Sequence, residues 1–326
     1  MPNAPLLIIS DGKPGHVNQS RALCDALGRP FAVVEVAYRQ RLFKALAYLA
    51  DRCGMSFSSL YRVTSPLPEG PFAAVVCTGS TAFYPGKIFA RRRKIPVAAI
   101  LDPKGWRRDF DAILAPVFDN PKPAANLVKL PVNLTAVSPG FYENGVAAFR
   151  ERHTWERAAV GVVIGGPSAF ADMSAEFMRA HLDRIFAATE GLERWVTTSR
   201  RTPAEVEALV DSYSFDYKLI FSRDNFNPIP AFVSLCDTLF VTADSTSMIS
   251  EAVTYGAAKV EVIMNLHKAA SKFARLISNL ESSGALHIFE NELGYADKKV
   301  DLTAAFEATA ALLKLDHTRK KQGGLS

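Results

Sequence analysis

Apolar runs of strand length recur along this chain, each followed by a stretch of helical periodicity, and this alternation limits the fold more than any other feature. In the first half, strand-like runs fall at 6–10, 31–36, 72–77, 97–101 and 112–115, with helical patterns at 18–27, 39–52 and 84–93. An irregular passage from 131 leads to a further helical pattern at 141–152. A second series then begins: strands at 160–164, 195–198, 218–221, 238–242 and 260–263, alternating with helices at 174–189, 203 onward, 229–235, 248–253, 268–282 and 304–313. Short, continuously apolar strands separated by helices predict parallel sheets covered on both faces. At 326 residues the chain is long enough for two such domains. The expected fold class is therefore α/β, two Rossmann-like doubly wound parallel-sheet domains, 1–155 and 156–326. The last helix is a candidate to pack back on the first domain.

The segment VTADSTSMISE (241–251) is the strongest candidate site. A buried strand runs into polar residues and then directly into a helix, so free backbone N–H groups and hydroxyls gather at a helix N-terminus, a ready anion site. Asp244, Ser245, Ser247 and the Met248 amide are candidate phosphate ligands, and Glu251, one turn inside, is placed to hold a ribose hydroxyl. The competing reading is that Asp244 or Ser245 simply caps the helix. Gly165 and Gly166 end the first strand of the second series, but without the G-x-G-x-x-G spacing of a dinucleotide site. Ser199, Arg200 and Arg201 precede a helix opened by Thr202 as cap and Pro203, and suit a diphosphate; an exposed Arg pair is the alternative. Asn227 is a further donor-side candidate.

In the first domain, SDGKPGHVNQ (10–19) ends a strand where ligands bind in open α/β sheets. Lys13 and Gly15 are phosphate-side candidates there, His16 and Asp11 candidate bases, and Asn18 and Gln19 lie on the acceptor side. Thr78, Ser80, Asp102 and Lys104 also follow strands and are candidate acceptor contacts, with turn or packing roles as the alternative.

Charge divides unevenly. Residues 1–155 hold 20 Lys+Arg against 11 Asp+Glu, a net +9, whereas the rest of the chain nets −4. A basic first half points to an anionic acceptor, lipid-linked or otherwise; nucleic acid is not expected, because no recognition motif accompanies the charge. The helix at 39–52 puts Leu42, Leu46 and Leu49 on one stripe beside Arg39, Arg41, Lys44 and Arg52. A core-facing stripe with a solvated basic edge is expected, and contact with an anionic membrane surface is the alternative. Cys24, Cys53, Cys77 and Cys236 lack metal-type spacing and read as reduced core residues. No metal or cofactor is expected. Without a basic stretch before the first strand no signal peptide is expected, so the predicted location is cytoplasmic, with at most peripheral contact at the inner face of a membrane.

The motifs SDGKPGHVNQ, IGGP (164–167), TTSRRTP (197–203), Asn227-Pro228 and VTADSTSMISE resemble, in order, the family named for a plant mitochondrial-fission protein, the "elongated mitochondria" type. The chain departs from that pattern at Ile229, where an aromatic residue is expected, and at Phe118, where a His is expected. The family is similar to GT-B glycosyltransferases, and the resemblance implies two α/β domains facing a nucleotide-sugar cleft. It also implies that Gly15 and His16 serve the acceptor, while Ser245, Ser247 and Glu251 hold the donor diphosphate and ribose. A metal-independent glycosyltransferase is the leading expectation. A non-catalytic scaffold recruiting a fission partner and a sugar-nucleotide epimerase are the alternatives.

Overall fold

A computed structural model describes residues 4–136, 140–267 and 271–315. The basic tail at 317–326 and the first residues of the helix expected over 268–282 lie outside the described residues. The chain divides into two compact units: residues 1–137 with 301–326, and residues 138–300.

The first unit is built on β1 (Leu6–Ser10), α1 (Pro14–Ala26), β2 (Phe31–Tyr38), α2 (Arg41–Arg52), β3 (Tyr61–Val63), β4 (Ala74–Thr78), α3 (Ser80–Arg93), β5 (Val97–Ile100), β6 (Ala112–Pro116) and β7 (Leu127–Leu130). Its sheet runs β3-β2-β1-β4-β5-β6-β7, all parallel except the antiparallel edge strand β3. Every residue of β1, β4, β5 and β6 is buried, as a strand with helices on both faces must be. Expected and observed strands agree to within two residues. β3 and β7 were not anticipated; both are edge strands interrupted by an exposed cation, Arg62 or Lys129, so neither presents a continuous apolar run. α3 begins at Ser80, four residues before the expected start, because Pro85 lies inside the helix and the sequence pattern resumes only beside it.

The second unit holds α4 (Phe141–Arg150), β8 (Ala159–Ile164), α5 (Ala175–Ala188), β9 (Glu193–Thr198), α6 (Ala204–Ser212), β10 (Tyr217–Leu219), α7 (Ile229–Leu235), β11 (Thr238–Thr242), α8 (Thr246–Thr254), β12 (Lys259–Ile263), α9 (Lys272–Ser282) and β13 (His287–Ile288). Its sheet is parallel throughout, in the order β10-β9-β8-β11-β12-β13. This is the 3-2-1-4-5-6 order of a doubly wound nucleotide-binding fold. The sheet of the first unit follows the same order with one strand added.

The division falls at 137/138 rather than near 155, and α4 is the reason. α4 packs on α7, and Phe149 near its end has ring centroids 4.7 Å from Tyr217, 4.9 Å from Trp195 and 6.0 Å from Phe232. A buried aromatic group of this kind stabilises by about 1.5–3 kcal/mol per side chain through area alone, so α4 belongs to the second core. The final helix, α10 (Thr303–Leu312), packs on β6 and β7 and so belongs to the first unit. Cys24, Cys77 and Cys236 are buried free thiols, but Cys53 is exposed just past α2.

Candidate functional site

In each sheet the chain winds one way from the central strand and the other way from its neighbour, which opens a crevice at the strand ends. In the second unit that switch point lies between β8 and β11, where three of the anticipated loops meet. Their polar side chains turn largely toward one another. Asp244, whose side chain is inaccessible to solvent, accepts from Arg201 at 2.6 Å, from the Gly166 amide at 3.1 Å and from Asn265 Nδ2 at 3.2 Å. Asn265 Oδ1 in turn accepts from the Asp244 amide at 3.1 Å. Three donors satisfy a charge that would otherwise be very unfavourable inside the protein. Gly165 and Gly166 are there because the loops touch: a Cβ at Gly165 would run into the Asp244 carboxylate, and one at Gly166 into the Arg201 carbonyl. Thr202 does not cap α6. Its hydroxyl donates to Gly165 O at 2.6 Å and accepts from the Ser199 amide at 2.8 Å. Pro203 holds the N-cap position, where it has no N–H to offer and no side-chain acceptor to give. Ser199 Oγ accepts from the Arg201 amide at 3.2 Å.

Asp244, Arg201, Ser199, Gly165 and Gly166 therefore hold these loops to one another, Arg201 remaining 43% exposed, and a second set of groups is not taken up in this way. α8 starts at Thr246 with Ser245 at the N-cap, but neither Ser245 nor Asp244 makes a side-chain cap hydrogen bond. The capping alternative thus fails for both residues. The first-turn amides of Thr246, Ser247 and Met248 have no intrahelical acceptor, and the Ser247 side chain is exposed beside them. The Met248 side chain is buried, so only its amide can serve a ligand. Arg200 is exposed and has no hydrogen-bond partner among the described residues.

Glu251 sits one turn further in, on α8. Burial pushes its carboxyl up to about 7, and the hydrogen bond from Tyr142 only partly offsets that. Tyr142 Oη donates to Glu251 Oε1 at 3.2 Å. Burial, followed by the Glu251 charge, holds the phenol far above its ordinary range, so it remains a donor. At the other end of α8, Lys299 Nζ donates to the carbonyls of Ala252 and Ala258 at 2.7 and 2.6 Å, a cation at the negative end of the helix dipole. Burial brings that amine down to about 8. Asn227 has a local role: its Oδ1 accepts from the Ile229 amide at 3.2 Å and opens α7.

In the first unit the switch point lies between β1 and β4. α1 begins at Pro14, so His16 stands in its first turn rather than in a loop. His16 Nδ1 is 2.9 Å from Asp11 Oδ1. Burial alone would raise the Asp11 carboxyl, but the hydrogen bond and charge of His16, with the amide and ammonium of Lys13, hold it below its usual range. An ionised Asp11 requires the proton on Nδ1, which leaves the Nε2 lone pair available as a base. Nε2 has no partner among the described residues. Gly79, at φ +80°, lies under the ring, where an added Cβ would come 2.5 Å from His16 Cε1.

The other first-unit candidates separate into two groups. Thr78 is buried and bonded to Ser20 at 2.7 Å, and Asp102 is ion-paired to Arg108 at 2.5 Å. Both are structural. Ser80 accepts from Lys44 at 3.0 Å. Gly15, Asn18 and Lys104 are exposed, and Gln19 half-buried. Nothing lies within 4 Å of a Cβ added at Gly15. Sequence reasoning missed Tyr142 and Asn265. Neither stands in a motif, and each matters only through a partner distant in the chain. Among the described residues no group of three or more His, Cys, Asp or Glu is arranged to hold a metal ion.

The sequence profile of the mitochondrial fission ELM1 family matches residues 14–315. The chain belongs to that family. No curated protein matches it. Among solved structures, this family member is similar to MurG of Acinetobacter baumannii, at 14% identity and TM-score 0.45 over 95% of this chain and 92% of that one. It is also similar to a putative UDP-N-acetylglucosamine 2-epimerase of Listeria monocytogenes, at 11% identity and TM-score 0.49 over 96% and 88%. A third is the glycosyltransferase SnogD of Streptomyces nogalater, at 14% and 0.44 over 96% and 94%.

Proposed function

We propose that the protein is a metal-independent glycosyltransferase that takes a nucleoside-diphosphate sugar in its second unit. The observation that carries this reading is the start of α8. Three amides without intrahelical acceptors, Ser245 and Ser247 stand one turn before Glu251, a largely buried carboxylate whose one side-chain hydrogen-bond partner among the described residues is the Tyr142 hydroxyl. A diphosphate on the amides and a ribose donating to Glu251 would satisfy both ends of this arrangement. On this reading the acceptor hydroxyl gives its proton to a general base, for which His16 Nε2 is the first unit's candidate, and its oxygen attacks the anomeric carbon. The bond from that carbon to the diphosphate breaks, and the diphosphate leaves with the electron pair. Its charge is met by the helix N-terminus and Arg200. The basic charge of the first half fits an anionic, lipid-linked acceptor at the cytoplasmic face of a membrane.

Calorimetric titration with UDP, GDP, CMP and their sugars, on the wild type and on Glu251→Ala, tests the reading. Saturable binding of one nucleotide class, weakened at least about tenfold in the variant, is the expected result. Folded protein that binds none of them would overturn the reading in favour of the partner-recruiting scaffold.

A further inference from the structure

α2 lies in its unit the opposite way from the expected core-facing stripe. Ala47 and Ala50 pack inward with Asp51, while Leu42, Leu46 and Leu49 are 65%, 41% and 57% exposed. At spacings of four and three residues the leucines share one face. The exposed apolar surface continues past the helix. Met55 and Phe57 are exposed on a loop pinned from beneath by Tyr84, whose hydroxyl donates to Met55 O at 3.1 Å and accepts from the Phe57 amide at 2.8 Å. Trp106, 56% exposed, is tied to the same helix, its Nε1 donating to Tyr48 O at 3.3 Å with Arg52 over its ring at 4.8 Å.

The charge around this patch is mainly positive; the one half-exposed acid that the patch's cations contact, Asp109, is paired with Arg91 at 3.1 Å. Residues 39–60 contain Arg39, Arg41, Lys44 and Arg52 against the single acid Asp51, and Asp51 is buried and paired with Lys87 at 2.9 Å. Arg91 and Arg92, from the end of α3, reach the same loop through Ser56 and Ser58 at 3.0 and 2.9 Å. Contiguous apolar exposure rimmed by cations marks a surface with a partner. A second copy of the chain would bring Arg39, Arg41 and Arg52 against their equivalents, which opposes self-association. Among the described residues no helix is long and apolar enough to cross a membrane.

We propose that the leucine face of α2, with Met55, Phe57 and Trp106, docks on an anionic lipid bilayer, the leucines entering the acyl boundary and the arginines meeting headgroup phosphates. This extends the acceptor side of the function proposed above, but it is tested without nucleotide, so either idea can fail alone.

The experiment is flotation of the full chain with phosphatidylglycerol vesicles and, separately, phosphatidylcholine vesicles. It compares the wild type with Leu42→Ser/Leu46→Ser/Leu49→Ser and with Arg39→Ala/Arg41→Ala, each checked for folding by circular dichroism and for mass by sedimentation velocity. The wild type should bind the anionic vesicles, and binding should fall at least about tenfold on phosphatidylcholine, in high salt and in either variant. If the triple variant is unfolded, Leu42→Ser replaces it, since that side chain is the most exposed of the three. Absence of binding to phosphatidylglycerol, equal binding to both lipids, or leucine variants that bind like wild type would overturn the proposal. So would wild-type dimers that the leucine changes dissociate while vesicle binding stays the same.

Discussion

Replacing Glu251 by Gln should change the pH dependence of stability in a direction and size set by its burial. The carboxyl titrates at about 7 in the folded protein, against an ordinary 4.5. The fold therefore favours the protonated form. That stabilisation is complete below the unfolded value and is lost as pH rises from there through the folded one. With about 1.4 kcal/mol per pKa unit, the wild type should lose about 2–3 kcal/mol between about pH 5 and about pH 8 from this group. Gln keeps an oxygen to accept from Tyr142 but cannot ionise, so Glu251→Gln should escape that loss. Urea unfolding followed by tryptophan fluorescence is suitable, because two of the three tryptophans, Trp155 and Trp195, lie in the second unit. The variant should gain on the wild type by about 2–3 kcal/mol across this range. Two stability curves that stay parallel from pH 5 to pH 8 would refute the argument that burial strains this carboxylate. A ligand hydroxyl donating to Glu251 would favour the ionised form, so nucleotide binding near neutral pH should release a proton into the buffer.

Two further outcomes follow from the same geometry. Asp244→Ala removes the acceptor shared by Arg201, Gly166 and Asn265 and should cost about 2–4 kcal/mol in urea unfolding; a loss under about 0.5 kcal/mol would mean the loops are not braced there. His16→Ala should raise the Asp11 carboxyl toward its ordinary value, as measured by carboxyl NMR titration. Because Asp11 is depressed in the fold, the stability it contributes is present above the unfolded pKa and lost as pH falls through the folded one. The wild-type advantage over His16→Ala should therefore shrink in acid; an advantage that grows in acid would contradict the pairing.

The elements were legible where apolar runs met clear helical periodicity, and their alternation gave the doubly wound parallel class of both sheets. The edge strands β3 and β7 were not, since an exposed cation interrupts each, nor was β13, which is only two residues long. Three of the motifs fall on loops that the second sheet brings together, but their polar residues divide into two groups that sequence could not separate: those bonded across the loops and those left open. Asp244 and Arg201 look like ligand residues in a one-dimensional reading, yet they hold the loops to each other. Tyr142 was invisible as a site residue because its meaning depends on Glu251, over a hundred positions away. The α2 leucines show the same limit: periodicity predicts that a stripe exists, and only the alanines packed behind it show which way the stripe turns.

An amide-resolved NMR titration of the full chain with UDP, GDP and CDP tests the donor site most directly. One of them should shift the Thr246, Ser247 and Met248 amides together, and Glu251→Ala should weaken this response. Shifts confined to other loops, or none at saturating nucleotide, would contradict the claim that the start of α8 is the donor site.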